Sequence, residues 1–170
     1  MHAEAGSEWQ GTWVNNIGKA SALELERIIT QFAAKKRLVA IPIANAPTPE
    51  ENVVVLKSGT TIVFGSEPDV EFRSAAKELI CVIEIKGSAD KAGAQTRLGE
   101  TKKSFAKAKR ENPRSHTIFL PSITTKAVKM QLETERDIDQ VFDLLDIFRD
   151  ARKRSAFLVE LFTFRLREKI

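Results

Sequence analysis

One part of the chain holds two carboxylates and an amine at spacings that could do chemistry. Asp69 follows Pro68, and after fourteen intervening residues the chain carries Glu84, Ile85 and Lys86 at the end of an apolar run. Because side chains alternate along a β-strand, Glu84 and Lys86 point to the same face of such a strand. A carboxylate and an ammonium group are therefore expected side by side at one strand end.

Strand pairing decides whether the second carboxylate joins them. The segment 69–73 has the composition of a short strand, and a turn at 74–77 separates it from the apolar run 79–86. Antiparallel pairing of the two segments would return Asp69 beside Glu84. Two carboxylates in one place need a positive charge between them, and a hard divalent cation with oxygen ligands is the natural one.

This arrangement predicts a metal-assisted phosphodiester hydrolase. The main-chain carbonyl of Ile85 points to the same site and adds a neutral oxygen ligand to Asp69 and Glu84. A bound divalent ion polarises a phosphoryl oxygen and lowers the pKa of a bound water. Lys86 can orient that water or share the charge of the transition state. The alternative is an ordinary strand whose charged end reaches solvent.

The elements that must position these residues follow from periodicity and turn signals. Apolar spacing predicts a helix over 20–37, and Ser58-Gly59 predicts a hairpin turn between strands 52–57 and 60–64. The run 79–86 is apolar on both faces, as in a central strand covered on both sides. Further segments are a β-like stretch at 38–43, a helix over 92–110, a strand over 115–120, helices from Ile138 onward, and an irregular arm over 1–16.

This order predicts an α/β fold with a mixed central β-sheet flanked by helices. We expect an N-terminal arm of residues 1–18 and a single domain of residues 19–170. The abrupt start of the arm also fits a fragment of a longer protein.

Composition excludes several classes of protein. The chain has 170 residues, 42% hydrophobic and 29% charged, which excludes wholesale disorder. One cysteine, Cys81, excludes a disulfide scaffold and a cysteine-based zinc site. No apolar run approaches the ~20 residues of a membrane span, and residues 1–10 do not resemble a signal peptide. We expect a soluble cytoplasmic protein without a membrane partner.

Positive charge is concentrated directly after the candidate triplet. From Lys86 to Arg114 there are nine Lys or Arg and three acids, a local net charge of +6 against +4 for the whole chain. Such a helix is placed to meet a nucleic-acid backbone, although a solvated basic face is the alternative. The residues predicted to contact DNA are Lys91, Gln95, Arg97, Lys102, Lys103 and Lys107. A second cluster, Arg149 and residues 152–154, has acids at 143, 146 and 150 and predicts surface ion pairs.

The Pro-Asp…Glu-x-Lys pattern, with a helix before it and a helix and strand after it, resembles the PD-(D/E)XK nuclease superfamily over about residues 20–121. The stretch from Glu84 to Phe105 is similar, more narrowly, to type II restriction endonucleases, in particular the branch that cuts the CCCGGG palindrome. The resemblance implies a core of a helix, three antiparallel strands, a helix and a fourth strand, here with extra C-terminal helices.

The resemblance also implies roles for individual residues. Asp69 and Glu84 match the acids that bind Mg²⁺, and Lys86 matches the catalytic lysine. Many members place a glutamate on the first helix, for which Glu24 and Glu26 are both candidates. The implied partner is double-stranded DNA, cut symmetrically by a homodimer because two strands need two sites.

Other functions remain open from the sequence. The same spacing suits a structure-specific repair or junction-resolving nuclease, and the basic helix suits a non-catalytic nucleic-acid-binding module. A cytoplasmic protein with no nucleic-acid role is a further alternative. The chain has no tyrosine, so the helical Gln-Tyr motif of recombination-type exonucleases is absent. Cleavage of a plain duplex at one sequence would distinguish a restriction enzyme from the others.

Overall fold

The structure, a computed structural model, describes residues 4–40, 52–65, 67–86, 91–122, 126, 130 and 132–170. For residues 4–17 and 91–97 it describes the backbone alone. The helices are α1 (Glu4–Lys35), α2 (Lys91–Glu111), α3 (Leu144–Arg149) and α4 (Ala151–Val159), and a π-helix (Glu160–Arg165) continues α4. The strands are β1 (Val53–Val55), β2 (Thr61–Phe64), β3 (Val70–Arg73), β4 (Leu79–Lys86), β5 (His116–Pro121) and β6 (Gln140–Val141).

Six strands in the described part of the chain form one mixed sheet in the order of the sequence. Strands β1 to β4 are an antiparallel meander, whereas β5 is parallel to β4 and β6 is parallel to β5. The parallel step from β4 to β5 requires a long crossover, and α2 supplies it. The predicted α/β class with a mixed, helix-flanked sheet is confirmed.

The first hairpin turns at the predicted dipeptide for a steric reason. Gly59 has a φ of +88°, a conformation that L side chains rarely adopt. A Cβ at this position would lie 2.7 Å from the Cβ of Ala75. Glycine therefore permits both the turn and its close approach to the β3–β4 connection.

A register shift sets the two faces of β4. Phe72 pairs with Cys81, but the next residue, Arg73, pairs with Leu79, so Ile80 is an extra residue in β4. Such a bulge changes the alternation of side chains. Leu79 and Val82 consequently contribute to the same hydrophobic cluster.

Helices cover β4 from both sides, as its apolar sequence predicts. On one face Cys81, Ile83 and Ile85 pack in a cluster with α1, α4 and the π-helix. On the other face Leu79 and Val82 pack against α2 through Leu98 and Phe105. Buried Cys81 is a core residue, as expected of a thiol in this run.

Three predicted segments differ from the structure or lie partly outside the described residues. Residues 4–16 are helical rather than irregular, because α1 begins at Glu4. The predicted C-terminal helices begin at Leu144, and residues 140–141 form β6 instead. There Asp139 N–H bonds to Thr117 O and Phe142 N–H bonds to Phe119 O, so pairing with β5 overrides the helical spacing. In the β-like stretch 38–43 only a bridge from Val39 to Leu56 lies within the described residues.

The C-terminal charge cluster has the predicted surface ion pairing. Lys153 Nζ contacts Asp146, and Asp143 and Asp150 cap the N-termini of α3 and α4. None of the helices in the described ranges is long and apolar enough to cross a membrane.

Candidate active site

Antiparallel pairing of β3 with β4 returns Asp69 to the end of β4. Val70 pairs with Ile83, which places the preceding residue, Asp69, opposite Glu84. The Ile85 N–H donates a hydrogen bond to Asp69 Oδ2 at 2.7 Å. The pairing predicted from the sequence therefore occurs, through a turn in which Lys77 N–H bonds to Ser74 O.

Glu84 is a buried carboxylate with an unsatisfied oxygen. Its side chain is only 1% exposed, unlike a strand end that reaches solvent. Lys86 Nζ lies 3.4 Å from Glu84 Oε2, yet within the described residues this oxygen receives no hydrogen bond. A buried charged group without full compensation costs free energy, so this oxygen is available to a ligand.

Asp69 titrates far from its ordinary range in this setting. Burial, together with the nearby Glu84 carboxylate, raises the pKa of Asp69 to about 7 against the opposing effects of the Ile85 N–H and Lys86. A cation beside these two carboxylates would favour the ionised form of Asp69.

The oxygen atoms at this strand end fit a divalent cation. Within a strand, the N–H and C=O of one residue point toward the same neighbouring strand. Because the Ile85 N–H points toward Asp69, the Ile85 carbonyl points toward the same side of β4. Asp69, Glu84 and this carbonyl are oxygen donors of the kind that hard cations prefer. No group of three His, Cys, Asp or Glu side chains that could hold a metal ion occurs in the described ranges.

Glu84 lines a cavity of about 420 Å³ between β3, β4 and α2, whereas Asp69 lies beside Glu84 and does not line it. Glu84 and Lys86 line it from the sheet, and Lys103 and Lys107 line it from α2. The two α2 lysines are one turn apart, so they share one face of the helix. Both walls carry mixed charge, because α2 also contributes Glu100 and Glu111, and the sheet also contributes Arg73.

The other residues predicted to contact DNA differ in their surroundings. Lys102, next to Lys103, forms an ion pair with Glu135 and does not line the cavity. Lys91, Gln95 and Arg97 lie on α2, but their side chains are outside the described part of the structure.

The two candidate glutamates on α1 are not distinguished by their positions. Glu24 accepts hydrogen bonds from Arg27 at 2.6 and 2.8 Å, and Glu26 is half-buried. The apolar residues of α1 pack on the face of β4 opposite to Glu84 and Lys86.

Sequence reasoning missed an ion-paired group in the cavity wall. Arg73 contacts Glu71 and Glu111, at 2.7 Å for Glu111 Oε1, and all three line the cavity. Alternation along β3 was the available signal, because Glu71 pairs with Val82 and shares its face.

Comparison with known proteins places this arrangement in a family. A search of curated proteins finds no match to the chain. The family model of the XcyI restriction endonuclease matches residues 4–151, which include α1, the whole sheet and every candidate active-site residue. Restriction endonucleases generally depend on divalent metal ions, in agreement with the oxygen donors at this site. The chain belongs to the XcyI restriction endonuclease family and is a sequence-specific endonuclease of double-stranded DNA.

Proposed function

We propose that this enzyme hydrolyses DNA with Mg²⁺ held by Asp69, Glu84 and the Ile85 carbonyl. The observation that supports this best is the buried Glu84 oxygen without a hydrogen bond, directly beside Asp69 and Lys86. Mg²⁺ is a hard cation that takes oxygen ligands and usually retains several waters. When bound, it supplies Lewis-acid polarisation of the phosphoryl group and acidifies a water.

The residues of the chain then have separate tasks. The Ile85 N–H holds the Asp69 carboxylate in place through its 2.7 Å hydrogen bond. The Glu84 carboxylate is fixed by burial within the end of β4. Lys86, 20% exposed at its side chain, donates to the attacking water or to the charge that develops on the phosphoryl oxygens.

DNA contacts are proposed along α2. Lys103 and Lys107 face the same cavity as Glu84 and would bind backbone phosphates on either side of the bond that is cut. Lys91, Gln95, Arg97 and Lys102 remain proposed contacts, with Lys102 the weakest because Glu135 neutralises it. Arg97 is the proposed base reader, since arginine on guanine is the commonest specific pair.

The proposed recognition sequence is the CCCGGG palindrome, and the proposed active form is a homodimer. A palindrome presents two equivalent half-sites, and a two-fold dimer presents two equivalent active sites. We place the enzyme in the cytoplasm, where it would meet DNA.

Cleavage of plasmid DNA by an Asp69→Asn variant tests the site. Asparagine retains an oxygen that can accept the Ile85 N–H, so the variant is expected to fold and to bind duplex DNA. Without the negative charge it should lose Mg²⁺-dependent cleavage by at least 100-fold and lose Mn²⁺ binding in calorimetry.

Asp146→Asn is the matched control, because Asp146 lies on α3 and pairs with Lys153 at the surface. It should cut as the unmodified enzyme does, and fragment mapping should show one sequence at every cut. Normal cleavage by the Asp69 variant would contradict the site, and cleavage at branched structures alone would contradict the substrate.

A further inference from the structure

A second cavity, of about 320 Å³, lies at the other end of β4. Leu79, the first residue of β4, lines both cavities, whereas Glu84 is five residues farther along the strand. At about 3.3 Å per residue the two ends are roughly 15 Å apart. This second cavity is therefore separate from the proposed metal site.

The second cavity is lined by four groups that can be cationic. Arg114 and His116 come from the start of β5, and Arg165 and Arg167 come from the end of the chain. Among the described residues that line it, only the exposed Glu78 is acidic. The two C-terminal arginines lie beyond residues 4–151 of the family match.

Two of these arginines have no side-chain partner among the described residues, and a third is only partly paired. The Arg114 and Arg167 side chains form no ion pair or hydrogen bond there, and both residues are exposed. Arg165 binds Glu160 through one guanidinium nitrogen, but its buried Nε atom has no hydrogen-bond partner. A guanidinium with an unsatisfied buried donor lacks the acceptor that its geometry suits.

The backbone around these arginines is unusual in two places. Arg165 ends a π-helix, and Arg167 has a φ of +58°, in the left-handed region that non-glycine residues rarely adopt. Such conformations persist where the surrounding structure holds them and are concentrated at ligand-binding positions. Here they bring Arg165 and Arg167 to one cavity.

We propose that this second cavity binds a phosphate group. Arginine guanidinium groups match phosphate oxygens with paired hydrogen bonds, and three of them converge here with a histidine. The phosphate could come from a DNA backbone that extends past the active site or from a free nucleotide, and the chemistry of recognition is the same.

His116 provides a direct signal of occupancy. Burial lowers the pKa of His116, and the positive charges of Arg165, Lys109 and Arg167 lower it further, whereas Asp139 opposes them. An anion in the cavity should reverse part of this effect. The chain has two histidines, so a His2→Gln variant assigns the remaining ring signals in a proton NMR spectrum to His116.

The test titrates inorganic phosphate into the full chain in EDTA, where no cleavage occurs. Phosphate should shift the His116 ring signals and raise the pKa of His116. Arg114→Gln/Arg167→Gln should weaken phosphate binding at least tenfold. Arg149→Gln/Arg152→Gln, with the same change of charge at residues that do not line the cavity, should not.

Two further ligands distinguish the sources of the phosphate. If DNA is the source, the double variant should lower the salt dependence of duplex binding by about two units, one for each phosphate that is no longer neutralised. If a free nucleotide is the source, dAMP should bind at least tenfold more tightly than inorganic phosphate, and duplex binding should not change.

The proposal would be overturned by an unmoved His116 signal or by equal phosphate affinity in both double variants. It would also be overturned if the salt slope did not fall and dAMP bound no more tightly than inorganic phosphate. Failure of the proposed metal site would not affect these results, because Asp69→Asn should bind phosphate at the second cavity unchanged.

Discussion

Glu84 illustrates how a single residue can be costly to the fold and useful to the enzyme. Its carboxylate is buried, and its nearest cation, Lys86 Nζ, is 3.4 Å from Oε2 without a hydrogen bond. Burying a charge with incomplete compensation costs several kcal/mol in general. A cation bound at the proposed site would offset that cost.

Lys86 should act in the reaction rather than in holding the metal. Lys86→Ala is expected to reduce single-turnover cleavage by about 100- to 1,000-fold, the usual cost of removing one transition-state donor. Mn²⁺ binding measured by calorimetry should remain, because both carboxylates are intact. Lys57→Ala, at an exposed turn residue, is the control and should cut normally. Retained cleavage by the Lys86 variant would remove it from the mechanism.

At the scale of elements, lysines that are close in sequence on α2 have different surroundings. Lys103 and Lys107 lie on the cavity side, whereas Lys102 pairs with Glu135 and Lys109 pairs with Asp139 at 2.7 Å. Side chains four residues apart share a face of a helix, and adjacent ones do not. The local charge of this helix therefore overstates the number of its cations that can meet DNA.

Replacing Lys103 and Lys107 with alanine should weaken binding of cognate and scrambled duplexes about equally. The slope of log affinity against log salt should fall by about one unit for each phosphate that the variant no longer binds. The slope is measured by fluorescence anisotropy in Ca²⁺ buffer, with Lys102→Ala as a control that should change it less, because Glu135 already neutralises that lysine. An equal change of slope in the control would contradict this division, and an unchanged slope in the double variant would place this face away from DNA.

At the scale of the whole molecule, one polar cluster joins α2 to the edge of the sheet. Asp139 Oδ2 accepts from Lys109 Nζ at 2.7 Å and from Thr117 N–H at 2.8 Å, and Lys109 Nζ also donates to Ser115 O. Burial would raise the pKa of Asp139, but the bonds from Lys109 and Thr117 outweigh it and lower the pKa below its ordinary value. The charged form of Asp139 thus stabilises the fold.

This cluster should make stability depend on pH in a defined direction. A carboxyl with a lowered folded-state pKa contributes fully above its unfolded pKa of about 3.9 and loses that contribution as the pH falls through the folded value. Asp139→Asn should therefore cost about 1 kcal/mol of unfolding free energy at pH 7, a modest value because the pair is partly exposed. The cost should be smaller at pH 3 than at pH 7, as measured by urea denaturation.

Asp137→Asn is the control for this prediction. The main-chain carbonyl of Asp137, and not its carboxylate, accepts a bond from Thr117. The control should lose little stability at either pH. A cost for the Asp139 variant that does not change between pH 7 and pH 3 would show that its charge is not the stabilising feature.

The local sequence determined the features that depend on neighbouring residues. Strand β4, the hairpin at Gly59 and helix α2 follow from periodicity and turn residues within short windows. The meeting of Asp69 with Glu84 was also predictable, because β3 and β4 are consecutive strands joined by a short turn. The two residues meet only in one register of β3 against β4, and the alternation of buried residues along the strands sets that register.

The tertiary structure decided what depends on residues far apart in the chain. Strand β6 has two residues and exists through its pairing with β5, which local spacing could not reveal. Lys103 rather than Lys102 lines the cavity because of the face that α2 packs against β4, a strand that precedes it in the chain. The second cavity joins residues near 115 to residues near 166. Periodicity identifies faces of helices and strands, but the partner of each face is selected by the packing of the complete chain.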